Sequence, residues 1–263
     1  VQGNLYQLYF LTLIIHIIDT FAYSVRLNFI KSGQFSLSTS LFNLFYLISL
    51  VAHTLQVPLI GALMDSSISH SIDPLPIIRR VILLATAGTL FGIILTPTFL
   101  KNFSQAVAKL EHLASVPSIV IDALRWGSMR RFINSITMPS RAMVNHLPYR
   151  KIPINLIVLN ILVTGIYTIG VMSAYYATLL VDPQHRLAAS ASAGILNTAA
   201  NIIFMLFIDP KSSIITDQAL KGNRPYADVK ALVVILMSSK LLGTLMGQLL
   251  LIPVAKAIAG LYM

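Results

Sequence analysis

Four side chains able to handle protons or bind anions recur at fixed intervals in one apolar stretch: His16, Asp19, Tyr23 and Arg26. Their spacing places all four on one face of a helix, over about 15 Å of rise. Ionisable groups so deep in hydrophobic sequence cost at least about 2.5–3.5 kcal/mol each on insertion scales. They therefore turn toward a protein interior or a polar cavity rather than lipid. Such a face can form a polar path, with Arg26 near one end suited to a phosphate oxygen. It can equally hold an internal Asp19–His16 pair that ties helices together. A metal centre is not expected, because His-x-x-Asp supplies two ligands and no HExxH or histidine-rich segment completes it.

A second apolar stretch carries Asn43, His53, Gln56 and Pro58. A lone histidine on an apolar helix is more often a hydrogen-bonded packing residue than a proton carrier. Lys240 lies well inside a later apolar segment, deeper than easy snorkelling allows. It needs a carboxylate, a carbonyl or a ligand anion, and Asp19 is the obvious protein partner. With Gln248 two turns beyond, the candidate substrate-binding and translocation residues are His16, Asp19, Tyr23, Arg26, Asn43, His53, Gln56, Lys240 and Gln248. Asn160, Asn197 and Asn201 read as hydrogen-bonding glue between helices.

Enzyme signatures are missing. There is no Gly-x-Ser-x-Gly elbow, no P-loop and no pair of carboxylates within one loop. The chain has nine acidic residues and no cysteine, which removes disulfides, thiolate metal sites and thiol catalysis. Three of the aspartates precede proline (Asp73, Asp182, Asp209) and read as turn chemistry at helix ends. The expectation is a protein that is not an enzyme and uses no metal or cofactor.

The elements that must position these residues are membrane helices. Hydrophobic residues make up 56% of the chain and charged residues 11%, against roughly 25% charged in soluble domains; the mean hydropathy is +0.78. Segments 5–29, 36–63, 77–99, 153–180, 187–208 and 231–259 are each long enough to cross a bilayer. The fold class expected is an all-α polytopic membrane protein of about six helices, one membrane domain spanning 1–263. No cleavable signal peptide is read, since the first segment lacks a basic flank. Of the nineteen Lys and Arg residues, fourteen fall beside or within the loops after the first, third and fifth segments. Four fall on the other side, and Lys240 lies inside the sixth segment. The positive-inside rule puts the fourteen in the cytoplasm and both termini outside. Because these cations cluster next to apolar segments, the net charge of +10 points to anionic membrane lipids and not to nucleic acid. Loop 101–151 is the largest extramembrane piece. It is predicted to hold a short helix over 101–115 and a basic amphipathic helix over 117–136, which Pro117 opens and which carries Trp126 in the headgroup plane. Pro58 and Pro253 are expected to kink their helices. Small residues from Ala188 to Gly194, with Gly243 and Gly247, offer close helix approach either within one copy or between the copies of a homodimer.

The run HIIDTFAYSVRL (16–27), followed by SLFN (40–43) and QVPLIGALMD (56–65), resembles the bacterial lipid II flippase Amj family. GTL (88–90), PTF (97–99), SVP (115–117), KIP (151–153), IDP (208–210) and SKLLGTLMGQLLLIP (239–253) extend the resemblance nearly end to end. Three positions depart from the family pattern. Leu50 stands where an arginine follows the serine, Lys240 where arginine is usual, and Asp19 where glutamate is usual; Leu50 removes one candidate phosphate ligand. The resemblance implies a multi-pass protein of the bacterial cytoplasmic (inner) membrane that moves lipid II, the undecaprenyl-pyrophosphate-linked peptidoglycan precursor, to the outer leaflet. Two other classes fit the residues alone: a small-molecule or drug exporter with a cationic cavity, and a membrane-embedded enzyme acting on a lipid phosphate.

Overall fold

The computed structural model describes residues 2–113 and 134–262. Seven long helices account for most of them: α1 (Gln2–Ser32), α2 (Phe35–His70), α3 (Leu75–Leu113), α4 (Ile154–Ala177), α5 (Arg186–Ile203), α6 (Asp209–Leu220) and α7 (Tyr226–Ala259). There is no strand among the described residues. A π-helical stretch, Phe204–Ile208, joins α5 to α6. Among the described residues six elements are long and apolar enough to cross a membrane, and Pro183–Leu220, which contains this stretch, is one of them. The protein is an all-α, multi-pass membrane protein.

Local chemistry sets the helix ends. α2 stops where Ser71 turns left-handed at φ 53°, and the Ile72 N–H closes back on the Ser67 carbonyl. Asp73 then accepts the Leu75 N–H at 2.9 Å and starts α3. Pro153 and Pro225 precede α4 and α7, where a missing N–H costs no helical bond.

Two boundaries differ from expectation. The short helix expected over 101–115 is instead the last part of α3, which runs unbroken from Leu75 through Pro97 to Leu113. No glycine or proline interrupts 98–113, and Phe99, Phe103, Val107 and Leu110 pack against Phe21, Val25, Leu41 and Phe45 of α1 and α2. The fifth segment continues past 208 to Leu220, so Asp209-Pro210 marks a π-to-α junction rather than a helix end. Pro58 and Pro253 are carried inside α2 and α7 without ending them. The amphipathic helix expected over 117–136 lies almost wholly outside the described residues.

Around the bundle, α1 packs between α2 and α3, α7 packs between α3 and α4, and α5 lies outside α4. In a membrane, close approach of backbones replaces the hydrophobic drive between helices. A Cβ at Gly88 of α3 would stand 2.7 Å from the Leu13 carbonyl of α1. One at Gly243 of α7 would stand 2.6 Å from the Ile161 carbonyl of α4. Gly243 and Gly247 are thus used inside the bundle, the latter against Ile82 and Ile169. This arrangement sets α2 and α7 against α1, where His16, Asp19, His53 and Lys240 lie.

Candidate functional site

Asp19 sits at the centre of a charged cluster. Its Oδ1 accepts a 2.6 Å hydrogen bond from Ser49 Oγ of α2. Its Oδ2 lies 3.7 Å from His53 Nε2, one turn further along the same helix, too long for a direct hydrogen bond. Ser49, His53 and Gln56 share the face of α2 that meets α1, at spacings of four and three. Gln56 Nε2 donates to Thr12 Oγ1 at 2.7 Å and fixes this register. From α7, Lys240 enters with 5% of its surface exposed and donates only to the His16 carbonyl, at 3.3 Å. No carboxylate lies within ion-pair distance of Lys240 among the described residues, although Asp19 and His16 are its electrostatic neighbours. Tyr167 of α4 stands edge-on to His53, with ring centres 5.6 Å apart.

The cluster is incompletely satisfied. His16 Nδ1 and His53 Nε2 are buried without a hydrogen-bond partner, whereas buried polar atoms are normally paired. The side chains of Asp19 and His53 each keep 27% exposure, while Lys240 is sealed. A desolvated ammonium with one weak carbonyl contact, beside a partly exposed carboxylate, can take up an anionic group and release it.

One turn from Asp19 the same face of α1 behaves differently. Tyr23 donates to Asn160 Oδ1 at 3.1 Å, and Asn160 Nδ2 donates to Ser239 Oγ at 2.7 Å and to the Leu236 carbonyl at 3.0 Å. This neutral network ties α1, α4 and α7 together. Arg26, a further turn along, is paired with Asp209 at 2.6 Å, at the π-to-α junction. Its guanidinium is therefore engaged within the protein.

Two candidates stand apart. Asn43 is exposed on α2. Gln248 lies eight residues beyond Lys240, about 12 Å along α7, where it donates to the Arg79 carbonyl at 2.8 Å. Leu50, where the resemblance expects arginine, is 48% exposed beside Ser49. Ser49, Tyr167 and Asp209 were not foreseen. The i, i+4 relation of Ser49 to His53 could have flagged the first. Nothing local links Asp209 to Arg26, 183 residues away.

The family described as Amj, Alternate to MurJ, matches residues 11–262. Lipid II flippase Amj of Bacillus subtilis (strain 168) is 37% identical over 254 residues, which cover 95% of this chain and 93% of that protein. No solved structure matches. The matched region contains every residue of the Asp19 cluster, from His16 to Lys240. The family match and its coverage agree with the resemblance read from the sequence: the chain belongs to the Amj family.

Proposed function

We infer that the protein is a lipid II flippase, moving the undecaprenyl-pyrophosphate-linked precursor from the inner to the outer leaflet of the bacterial cytoplasmic membrane. The observation that carries this reading is Lys240, a cation sealed at mid-bundle without a directly paired carboxylate. Support also comes from the relative, whose name is that of a translocase. The prenyl tail stays in lipid while the multiply charged headgroup crosses, so the barrier is desolvation of that headgroup. Lys240, Asp19 and the two histidines offer polar partners along the path. An inside-negative potential favours outward movement of anionic groups by about 2.3 kcal/mol per charge per 100 mV, so no covalent step or cofactor is needed.

In the proposed orientation the basic segments, including the end of α3 and the connection from 114 to 151, face the cytoplasm. Cysteines placed at Ser71 and Ser128 should then label from opposite sides, Ser71 from outside. Two copies could meet along α5, whose Ala188, Ala191 and Gly194 are exposed, and together enclose a wider path. Native mass spectrometry reads this as a dimer; a transport-competent monomer in single-copy nanodiscs would discard it. The decisive test of function is the sidedness of lipid II in cells whose only flippase is this protein. The expected result is precursor in the outer leaflet and sustained growth. Export of soluble compounds without lipid II movement would identify a drug exporter instead.

A further inference from the structure

The sequence reads Lys31, Lys101 and Lys230 only as loop cations beside the membrane, and the bundle brings all three to one cavity. α3 and α7 are joined at one end, where Gln248 bonds Arg79, and again where Thr96 Oγ1 meets Met237 Sδ at 3.8 Å. Toward the basic loops a cavity of about 500 Å³ lies between them, bordered by Leu27 and Asn28 of α1. Its walls are apolar, formed by residues such as Ile93, Leu100 and Val233.

Charge enters at the mouth. Lys230 and Lys31 stand 5.1 and 5.9 Å from the centre of the Tyr226 ring. None of the three lysines meets a carboxylate among the described residues. The neighbouring Lys151 and Arg224, by contrast, share the buried Asp228, at 3.4 and 2.7 Å. Uncompensated cations on the rim of an apolar pocket complement an anion that continues into a hydrocarbon chain. Lys240 lies one turn beyond Met237 on the same face of α7, so positive charge recurs about 15 Å deeper than Lys230.

We propose that this cavity docks the pyrophosphate and first isoprene units of the polyprenyl lipid, received from the leaflet at the basic end. The assignment rests on the flippase reading and adds a place of loading distinct from the Asp19 cluster. The apolar walls exclude sugars and peptide, whose buried polar groups would go unpaired, so the rest of the headgroup stays outside the pocket. A pyrophosphate presents two adjacent phosphates to three lysines, where a glycerophospholipid presents one.

The test measures binding of undecaprenyl pyrophosphate to the full-length protein in phosphatidylcholine nanodiscs, with phosphatidylglycerol as competitor, alongside lipid II transport. Replacing all three lysines (Lys31→Gln, Lys101→Gln and Lys230→Gln) should weaken binding roughly a hundredfold, the loss expected from three cations facing an anionic lipid. Val234→Trp, which fills the cavity while leaving the lysines, should weaken it too. Phosphatidylglycerol should not compete. If the triple variant binds as the wild type does while lipid II transport persists, the docking site is wrong and the flippase reading stands. Equal competition by phosphatidylglycerol also overturns it, making the cavity a general anionic-lipid site. A wild-type protein that neither binds the pyrophosphate nor moves lipid II overturns both.

Discussion

Two stretches of a single helical face, one turn apart on α1, have opposite characters. Around Tyr23, three helices meet through neutral hydrogen bonds, with Asn160 using its acceptor and both its donor contacts. Around Asp19, the groups are charged, two histidine nitrogens lack partners, and Lys240 rests on a single backbone carbonyl. Both regions are polar and both sit in apolar surroundings, so polarity alone does not separate them. Satisfaction does. A complete neutral network holds helices in place, while an incomplete charged one keeps capacity for a ligand.

The sharpest way to break this contrast is Lys240→Met. Removing a buried cation that has no direct ion pair lifts a desolvation cost, so thermal stability should be unchanged or raised. Transport should fall roughly a hundredfold, the order expected when one partner of a buried charged contact is lost. Normal transport at normal expression would show that Lys240 is a packing residue.

Arg26 lies between the two characters. It is charged like the first region but paired like the second, through Asp209. If the pair latches α1 to the π-to-α junction, Asp209→Asn should slow transport roughly tenfold, with a modest loss of stability: Asp209 is half-exposed, but the largely buried Arg26 keeps only an amide oxygen as its partner. The exchange Arg26→Asp with Asp209→Arg should then restore most of the rate. Failure of the exchange to rescue, with each single variant inactive, would make Arg26 a substrate ligand instead.

Asn160→Leu tests the satisfied side. It leaves the Tyr23 hydroxyl, the Ser239 hydroxyl and the Leu236 carbonyl without their shared partner. Stability should drop by about 1–2 kcal/mol, between the small average for membrane hydrogen bonds and the cost of an orphaned buried group. Thermal unfolding in detergent reads this directly. Transport per folded molecule should stay near wild type.

Much of this was legible beforehand, for physical reasons that differ by level. Six apolar runs reveal six spans because hydrocarbon thickness fixes their length. The face holding His16, Asp19, Tyr23 and Arg26 follows from helical periodicity, as does the shared face of His53 and Gln56, one turn apart on α2. Periodicity could not divide that face into a charged cluster and a neutral network, because the difference lies in Ser49, Asn160 and Asp209, supplied by other helices. Gln248 illustrates the same limit: its place on α7 was readable, but its engagement with Arg79 depends on how α3 packs. The continuous α3 was missed because the basic residues Lys101 and Lys109 suggested a loop, while the aromatic contacts that carry the helix onward are tertiary.

The smallest expected effect is also the most discriminating for the dividing line along α1. Tyr23→Phe keeps the ring, which is 6% exposed, and deletes only the hydroxyl that donates to Asn160. Asn160 retains its donors to Ser239 and Leu236, so the network loses one neutral bond and orphans no donor. The cost should be about 0.6 kcal/mol, the average measured for such bonds between membrane helices, with transport unchanged. Tyr23 lies one turn from Asp19, the spacing that made the two look equivalent. A tenfold loss of transport with stability intact would extend the substrate path past Asp19 to Tyr23, and hydrogen-bond satisfaction would no longer mark where the path ends.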